Sequence, residues 1–197
     1  MRKHLLFTLV VACLSQIAGI NTNSIAAVER QVIEITGHPV KGPATASVTI
    51  IVFSDYLCPF CEALEPILHQ VLEKYPIDVK LVDKLCPVHD FSREAVAAAY
   101  AAWDQGKFWE FHDQLFNNQL VLNKPTITEI AKKLNLDLER FNKKMKDPAI
   151  DTLIEQDMAD VSRLGITGTP TVYINGIVLE NRSFLGFQKA IEKELKK

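Results

Sequence analysis

The sequence predicts an α/β domain interrupted by an all-helical insertion, and three observations carry that prediction. An apolar, β-branched run, Val48-Thr49-Ile50-Ile51-Val52-Phe53, leads through Ser54-Asp55-Tyr56-Leu57 into Cys58-Pro59-Phe60-Cys61 and a helical pattern. Residues 91–164 then read as helical throughout. After them strand patterns return, at residues 171–174 and 177–179, split by Asn175-Gly176. Strands on both sides of a helical block mean one α/β domain carrying an insertion rather than two consecutive domains. The length of 197 residues suits that arrangement. The expected division is an α/β domain over 27–85 and 165–197, with the insertion at 86–164.

Residues 1–26 read as a leader outside the fold. Arg2, Lys3 and His4 give a positive start, residues 5–14 are apolar, and Ser24-Ile25-Ala26 places small residues where a signal peptidase cuts. Cleavage after Ala26 is expected, giving an exported, periplasmic protein. The readings set against this are an uncleaved membrane anchor, for which the apolar core is short, and a lipoprotein leader at Cys13. Export leaves Cys58, Cys61 and Cys86, too few for a disulfide scaffold. The net charge is −2 and no basic block exists, which argues against a nucleic-acid partner.

The elements follow in order. Residues 31–35 alternate like a short edge strand, Gly37-His38-Pro39 breaks it, and Lys41-Gly42-Pro43 is a turn. The run from Val48 to Phe53 is apolar enough to be buried on both faces. The following helix runs from Pro59 to about Lys74, and its internal Pro66 predicts a bend between Glu62 and Pro66. A strand is expected at 77–82. Five helices are expected next, over 91–105, 107–117, from 125, 137–145 and 147–164. Thr126 is assigned as the N-cap of the third, with Glu129 completing a capping box. Asn175-Gly176 predicts a two-residue hairpin, and residues 187–195 a closing helix.

Cys58-Pro59-Phe60-Cys61 at a strand-to-helix junction points to thiol chemistry. Cys58 takes the N-cap place and Pro59 the first helical position, where a missing N–H costs nothing. The unpaired N–H groups and positive dipole end at a helix N-terminus favour a thiolate there. Cys61 sits one turn in, near enough for a small disulfide ring.

The Phe53-Ser54-Asp55 strand end, the Cys-Pro-Phe-Cys pair, Thr169-Pro170 before a hairpin, and Gly106-Lys107-Phe108-Trp109-Glu110-Phe111-His112 in the insertion together resemble the DsbA-like thiol–disulfide oxidoreductases of the thioredoxin fold. The resemblance covers residues 32–195. It implies that Cys58 is the exposed nucleophile, Cys61 the buried resolving thiol, and Thr169-Pro170 a cis peptide facing them and meeting the substrate backbone. It implies a thiol–disulfide exchanging enzyme acting as an oxidase on unfolded or partly folded exported proteins that carry Cys. A membrane or periplasmic redox partner would recharge it. No cofactor and no metal are expected, and the short stretch before the first strand suggests a monomer. Phe60 in place of the His of the strongest oxidants, and Thr169 before the Pro, point to a milder oxidant; an isomerase or reductase of the same fold is the alternative direction. Relatives often place a buried acid six residues before the first Cys, where this chain has Val52. Glu65, seven residues after Cys58, matches an acid found near the pair in some relatives, and Lys84 is assigned as its partner.

Other readings compete. Cys58-x2-Cys61 with Cys86-x2-His89 has the outline of a zinc site. Cys86 reads as a partly buried free thiol, against an auxiliary or intermolecular role. His112 with Phe108, Trp109, Phe111 and Phe116 reads as helix packing, and His38 as a loop residue. A holdase binding unfolded exported chains without redox chemistry is the alternative of another class.

Overall fold

The computed structural model describes residues 29–197. The leader assigned to 1–26, with Cys13, lies outside the described residues. Among the described residues no helix is long and apolar enough to cross a membrane.

A five-stranded sheet in the order β1-β3-β2-β4-β5 forms the centre. The strands are β1 (Val40–Lys41), β2 (Val48–Ser54), β3 (Val79–Leu85), β4 (Thr171–Ile174) and β5 (Ile177–Val178). β2 and β3 are parallel, and the other pairs are antiparallel. Parallel neighbours need a crossover, and here it is α1 (Pro59–Glu62) with α2 (Glu65–Lys74). The expected bend is a break: the helix stops after Glu62 and restarts at Glu65. Pro66 then lies in the first turn of α2, where it lacks no intrahelical donor.

Helices α3 (Ser92–Trp103), α4 (Phe108–Asn117), α5 (Lys124–Lys133), α6 (Leu138–Lys144) and α7 (Pro148–Arg163) lie between β3 and β4 in the chain. A short 3-10 turn, Gln119–Val121, follows α4. The buried Ala95, Ala98, Ala99, Ala101 and Ala102 of α3 let neighbouring helices approach closely, and the same cluster reaches Tyr56, Cys58 and Cys61. On one face of the sheet, α2 and α8 (Phe184–Leu195) pack Leu68, Val71, Phe187 and Ile191 on Val48, Ile50, Val79 and Leu81. On the other, Met158, Val161 and Leu164 lie against Ile51, Phe53, Val82, Cys86 and Tyr173. Asn175 and Gly176 turn the hairpin with φ of 46° and 79°, the left-handed values that such a turn needs.

Four expectations change. Residues 31–35 are not a strand; Ile33 and Ile35 pack against the sheet cluster, so their alternation records burial rather than pairing. The edge strand is Val40–Lys41, inside the stretch assigned to a break and a turn. β3 begins two residues later than expected and ends three later, because Ile77 is exposed while Asp83 and Lys84 are buried. The N-cap of α5 is Asn123, whose side chain accepts from the Thr126 N–H; Thr126 lies in the first turn.

Candidate active site

β2 delivers the chain to Asp55, whose fully buried carboxylate organises the loop that follows. Asp55 Oδ1 accepts from the Leu57 N–H at 2.8 Å and from the Ser92 hydroxyl. Its Oδ2 accepts from the N–H groups of Val88 at 2.8 Å and His89 at 3.1 Å, and lies 2.9 Å from His89 Nδ1. One side chain thus ties the cysteine loop to the segment entering α3.

Cys58 caps α1 with extended backbone, φ −84° and ψ 115°. Its carbonyl accepts from the N–H groups of Cys61 at 3.0 Å and Glu62 at 3.2 Å. Gln119, from the 3-10 turn, donates to the carbonyls of both Tyr56 at 2.8 Å and Cys58 at 3.0 Å. Cys58 Sγ donates to the Thr169 carbonyl at 3.3 Å. The Thr169–Pro170 peptide is cis and opens directly into β4. Cys58, Cys61, Thr169 and Pro170 are therefore gathered at one edge. Pro59 occupies the first helical position, and Phe60 points outward, 74% exposed.

Both thiols are buried, Cys61 1% exposed and Cys58 5%, so Cys58 is not the exposed sulfur that the resemblance implied. Burial pushes the Cys61 thiol up to about 12, against the polar groups of Asp55, Ser54 and Thr169 nearby, with Cys58 adding to the rise. Beside the pair a small cleft of about 170 Å³ is lined by Phe60, Ala63, Leu64, Ile67, Pro170 and Arg182. Arg182 donates to the Pro170 carbonyl.

Glu65 and Lys84 are not partners, which corrects the sequence reading. They sit on opposite sides of the sheet. Glu65 Oε2 lies 3.2 Å from His112 Nε2, and His112 Nδ1 lies 3.1 Å from the Tyr56 hydroxyl and 3.3 Å from Asp83 Oδ2. Asp83 is paired in register with Val52, so a buried acid does stand at that level, on the neighbouring strand. Burial pushes its carboxyl up to about 7, against the pull of His112. Burial draws the His112 imidazole down, but Glu65 and Asp83 outweigh it and hold the ring above its ordinary value. Lys84 instead meets Asp157 at 2.9 Å, Asp160 at 3.0 Å and the Glu34 carbonyl at 3.0 Å. His38, read as a loop residue, is buried against Asp157 at 2.7 Å.

The zinc outline is not assembled: among the described residues Cys58, Cys61, Cys86 and His89 do not come together as a ligand group. Cys86 is fully buried, its thiol donating to the Lys84 carbonyl at 3.5 Å, and burial pushes it far above an ordinary thiol. Asp55 and Gln119 were given no role from the sequence, and His112, read as helix packing, is buried among aromatic rings but also faces Tyr56, Glu65 and Asp83. Asp83 carried a signal, an acid inside an otherwise apolar strand; Gln119 carried none.

A family model described as Thioredoxin matches residues 35–193. The chain belongs to the DsbA-like branch of the thioredoxin family. Disulfide bond formation protein D of Bacillus subtilis is 30% identical over 175 residues, covering 82% of this chain and 79% of that protein. The structure of oxidised BdbD from Bacillus subtilis superposes with a TM-score of 0.77 at 28% identity, covering 85% of this chain and 98% of that one. A thioredoxin-like oxidoreductase from Silicibacter pomeroyi gives 0.74 at 29% identity, over 81% and 93%. The first curated relatives are much longer: the Na(+)/H(+) antiporter NhaA 3 of Salinispora tropica is 36% identical over 140 residues, 70% of this chain but 21% of that protein. The chain thus spans about a fifth of the length of those proteins. The DsbA-like fold accounts for the order strand, cysteine helix, strand, helical insertion, hairpin and helix.

Proposed function

We propose that this DsbA-like chain is an exported thiol–disulfide oxidoreductase that oxidises Cys-containing protein substrates. The observation that carries the proposal is Cys58 at the head of α1, its sulfur 3.3 Å from the carbonyl that precedes the cis-Pro, above a buried Cys61. In the oxidised enzyme a substrate thiolate attacks Cys58 Sγ. The Cys58–Cys61 bond breaks, a mixed disulfide forms, and Cys61 leaves as a thiolate. With its affinity for protons raised to about 12, Cys61 takes up a proton at neutral pH. It therefore attacks the mixed disulfide back only slowly, and the intermediate survives until a second substrate thiolate attacks the substrate sulfur. That step closes the substrate disulfide and releases Cys58 reduced; two electrons have passed from substrate to enzyme.

Exposed Phe60 and the cleft between it and Pro170 give an unfolded substrate an apolar foothold beside the reacting sulfur. The relative named disulfide bond formation protein D supports the oxidising direction. Equilibration of the pair with glutathione tests it. A potential well above about −270 mV, the thioredoxin value, is expected, and a value at or below it reverses the direction. Cys58→Ser is expected to abolish oxidation of a reduced, unfolded substrate. A Cys58→Ser/Cys61→Ser double variant that still protects such substrates as well as the parent would instead favour a holdase.

A further inference from the structure

We propose that Glu65, His69, His112 and Asp113 form a binding site for a divalent transition-metal ion of the zinc class. Ligand atoms of Glu65, His112 and Asp113 lie within 4.8 Å of one another. They come from two helices. Glu65 and His69 stand four residues apart on α2, and so on one face. His112 and Asp113 are adjacent on α4. His69 Nε2 lies 3.6 Å from Asp113 Oδ1, which brings a fourth donor to the edge of the group.

Three independent features point to a cation here. His112 is 2% exposed, and its buried Nε2 has no hydrogen-bond partner although Glu65 Oε2 is 3.2 Å away. A buried ring nitrogen without a partner is costly unless something occupies its lone pair. Next, His112 Nδ1 faces Asp83 Oδ2 at 3.3 Å and the Tyr56 hydroxyl at 3.1 Å. Polar groups behind the second ring nitrogen hold the ring in place with Nε2 towards Glu65 and Asp113, the usual support of a metal-binding imidazole. Finally, among the described residues no Lys or Arg comes within ion-pair distance of Glu65, Asp83 or Asp113; their partners are the two imidazoles. The cluster is thus rich in negative charge and open to a cation.

Access exists. A cleft of about 330 Å³ lined by Glu62, Glu65, His69, Asp113, Phe116 and Asn117 brings solvent to the group. Mixed imidazole and carboxylate donors suit Zn²⁺ and its neighbours, rather than Ca²⁺ or Mg²⁺, which take oxygen donors. An ion bound there joins α2, which follows the cysteine helix, to α4 of the insertion. The site shares no ligand with the cysteine chemistry and stands or falls separately from it.

The test uses the full chain in its oxidised form, so that the Cys58 and Cys61 thiols do not compete, after removal of metal with a chelator. Titration with Zn²⁺, and with Co²⁺ followed by its visible spectrum, is expected to give one equivalent bound and a higher melting temperature. His69→Ala and Asp113→Asn, both at half-buried positions outside the core and so expected to fold, should each weaken binding by about tenfold or more. Glu65→Gln should weaken it further. Failure to bind Zn²⁺ below millimolar concentration overturns the proposal, and so does binding unchanged in both His69→Ala and Asp113→Asn.

Discussion

Asp83 and Lys84 are neighbours on β3, and strand geometry sends them to opposite faces of the sheet. Each enters a buried cluster containing a histidine and acids, yet the two clusters are built differently. On the Lys84 side every charge is answered. Asp157 receives His38, Lys84, the Leu85 N–H and the Tyr100 hydroxyl, and Asp160 receives Lys84 and Arg163. On the Asp83 side, Asp83 Oδ2 and His112 Nε2 are left without hydrogen bonds. A closed network acts as a clamp: it holds α7 and the segment before β1 against the sheet. An open one keeps a capacity for a proton or an ion, and it lies on the face that meets α2, directly after the cysteine helix.

The comparison breaks most visibly at Lys84. Lys84→Met leaves the buried Asp157 and the half-buried Asp160 without their shared cation and is expected to cost about 3–5 kcal/mol, read as a lower midpoint in denaturant unfolding. A loss under about 1 kcal/mol would mean that the two faces do not differ as described.

The buried thiols give the next effect. Cys61 packs with the insertion cluster and Cys86 with the opposite face. Both hold their protons well above the ordinary thiol value of about 8.5. The folded reduced protein therefore binds more protons than the unfolded chain at alkaline pH, and stability falls as pH rises from about 8.5 towards 12. Each thiol contributes a slope of up to about 1.4 kcal/mol per pH unit. Oxidation removes the Cys61 share and leaves that of Cys86. Unfolding curves of the two redox forms at pH 8 and pH 10 check this, and identical slopes would contradict it.

The smallest effect is expected at Asp83. Asp83→Asn keeps the shape and removes a carboxylate that burial already disfavours, so at pH 7 stability should change by no more than about 1 kcal/mol. A loss as large as that of Lys84→Met would make this cluster a clamp as well.

Much of this was legible in the chain. The continuous apolar run marked β2, Pro66 marked the break between α1 and α2, and Asn175-Gly176 marked the hairpin, because each is a local consequence of backbone sterics or burial. The gathering of Cys58 with Thr169 was reached through the resemblance rather than through spacing. What escaped depended on tertiary packing. Residues 31–35 alternate because they lie on a core, and nothing local separates that from pairing. Asn123 and Thr126 both suit an N-cap, and only the path out of the 3-10 turn chooses between them. Glu65 and Lys84 looked complementary as opposite charges, but alternation along β3 placed Lys84 under α7, and His112 took the position facing Glu65.

The Gln119 amide reaches the carbonyls of Tyr56 and Cys58 from a turn that looks like ordinary surface, with Leu120 98% exposed. Loops at the surface usually tolerate changes in length. This one is spoken for: adding or deleting a residue between Asn117 and Lys124 shifts the amide off the carbonyls of Tyr56 and Cys58. Change in the length of this turn is thus coupled to the cysteine loop, and the freedom of that turn ends where its outward appearance suggests that it begins.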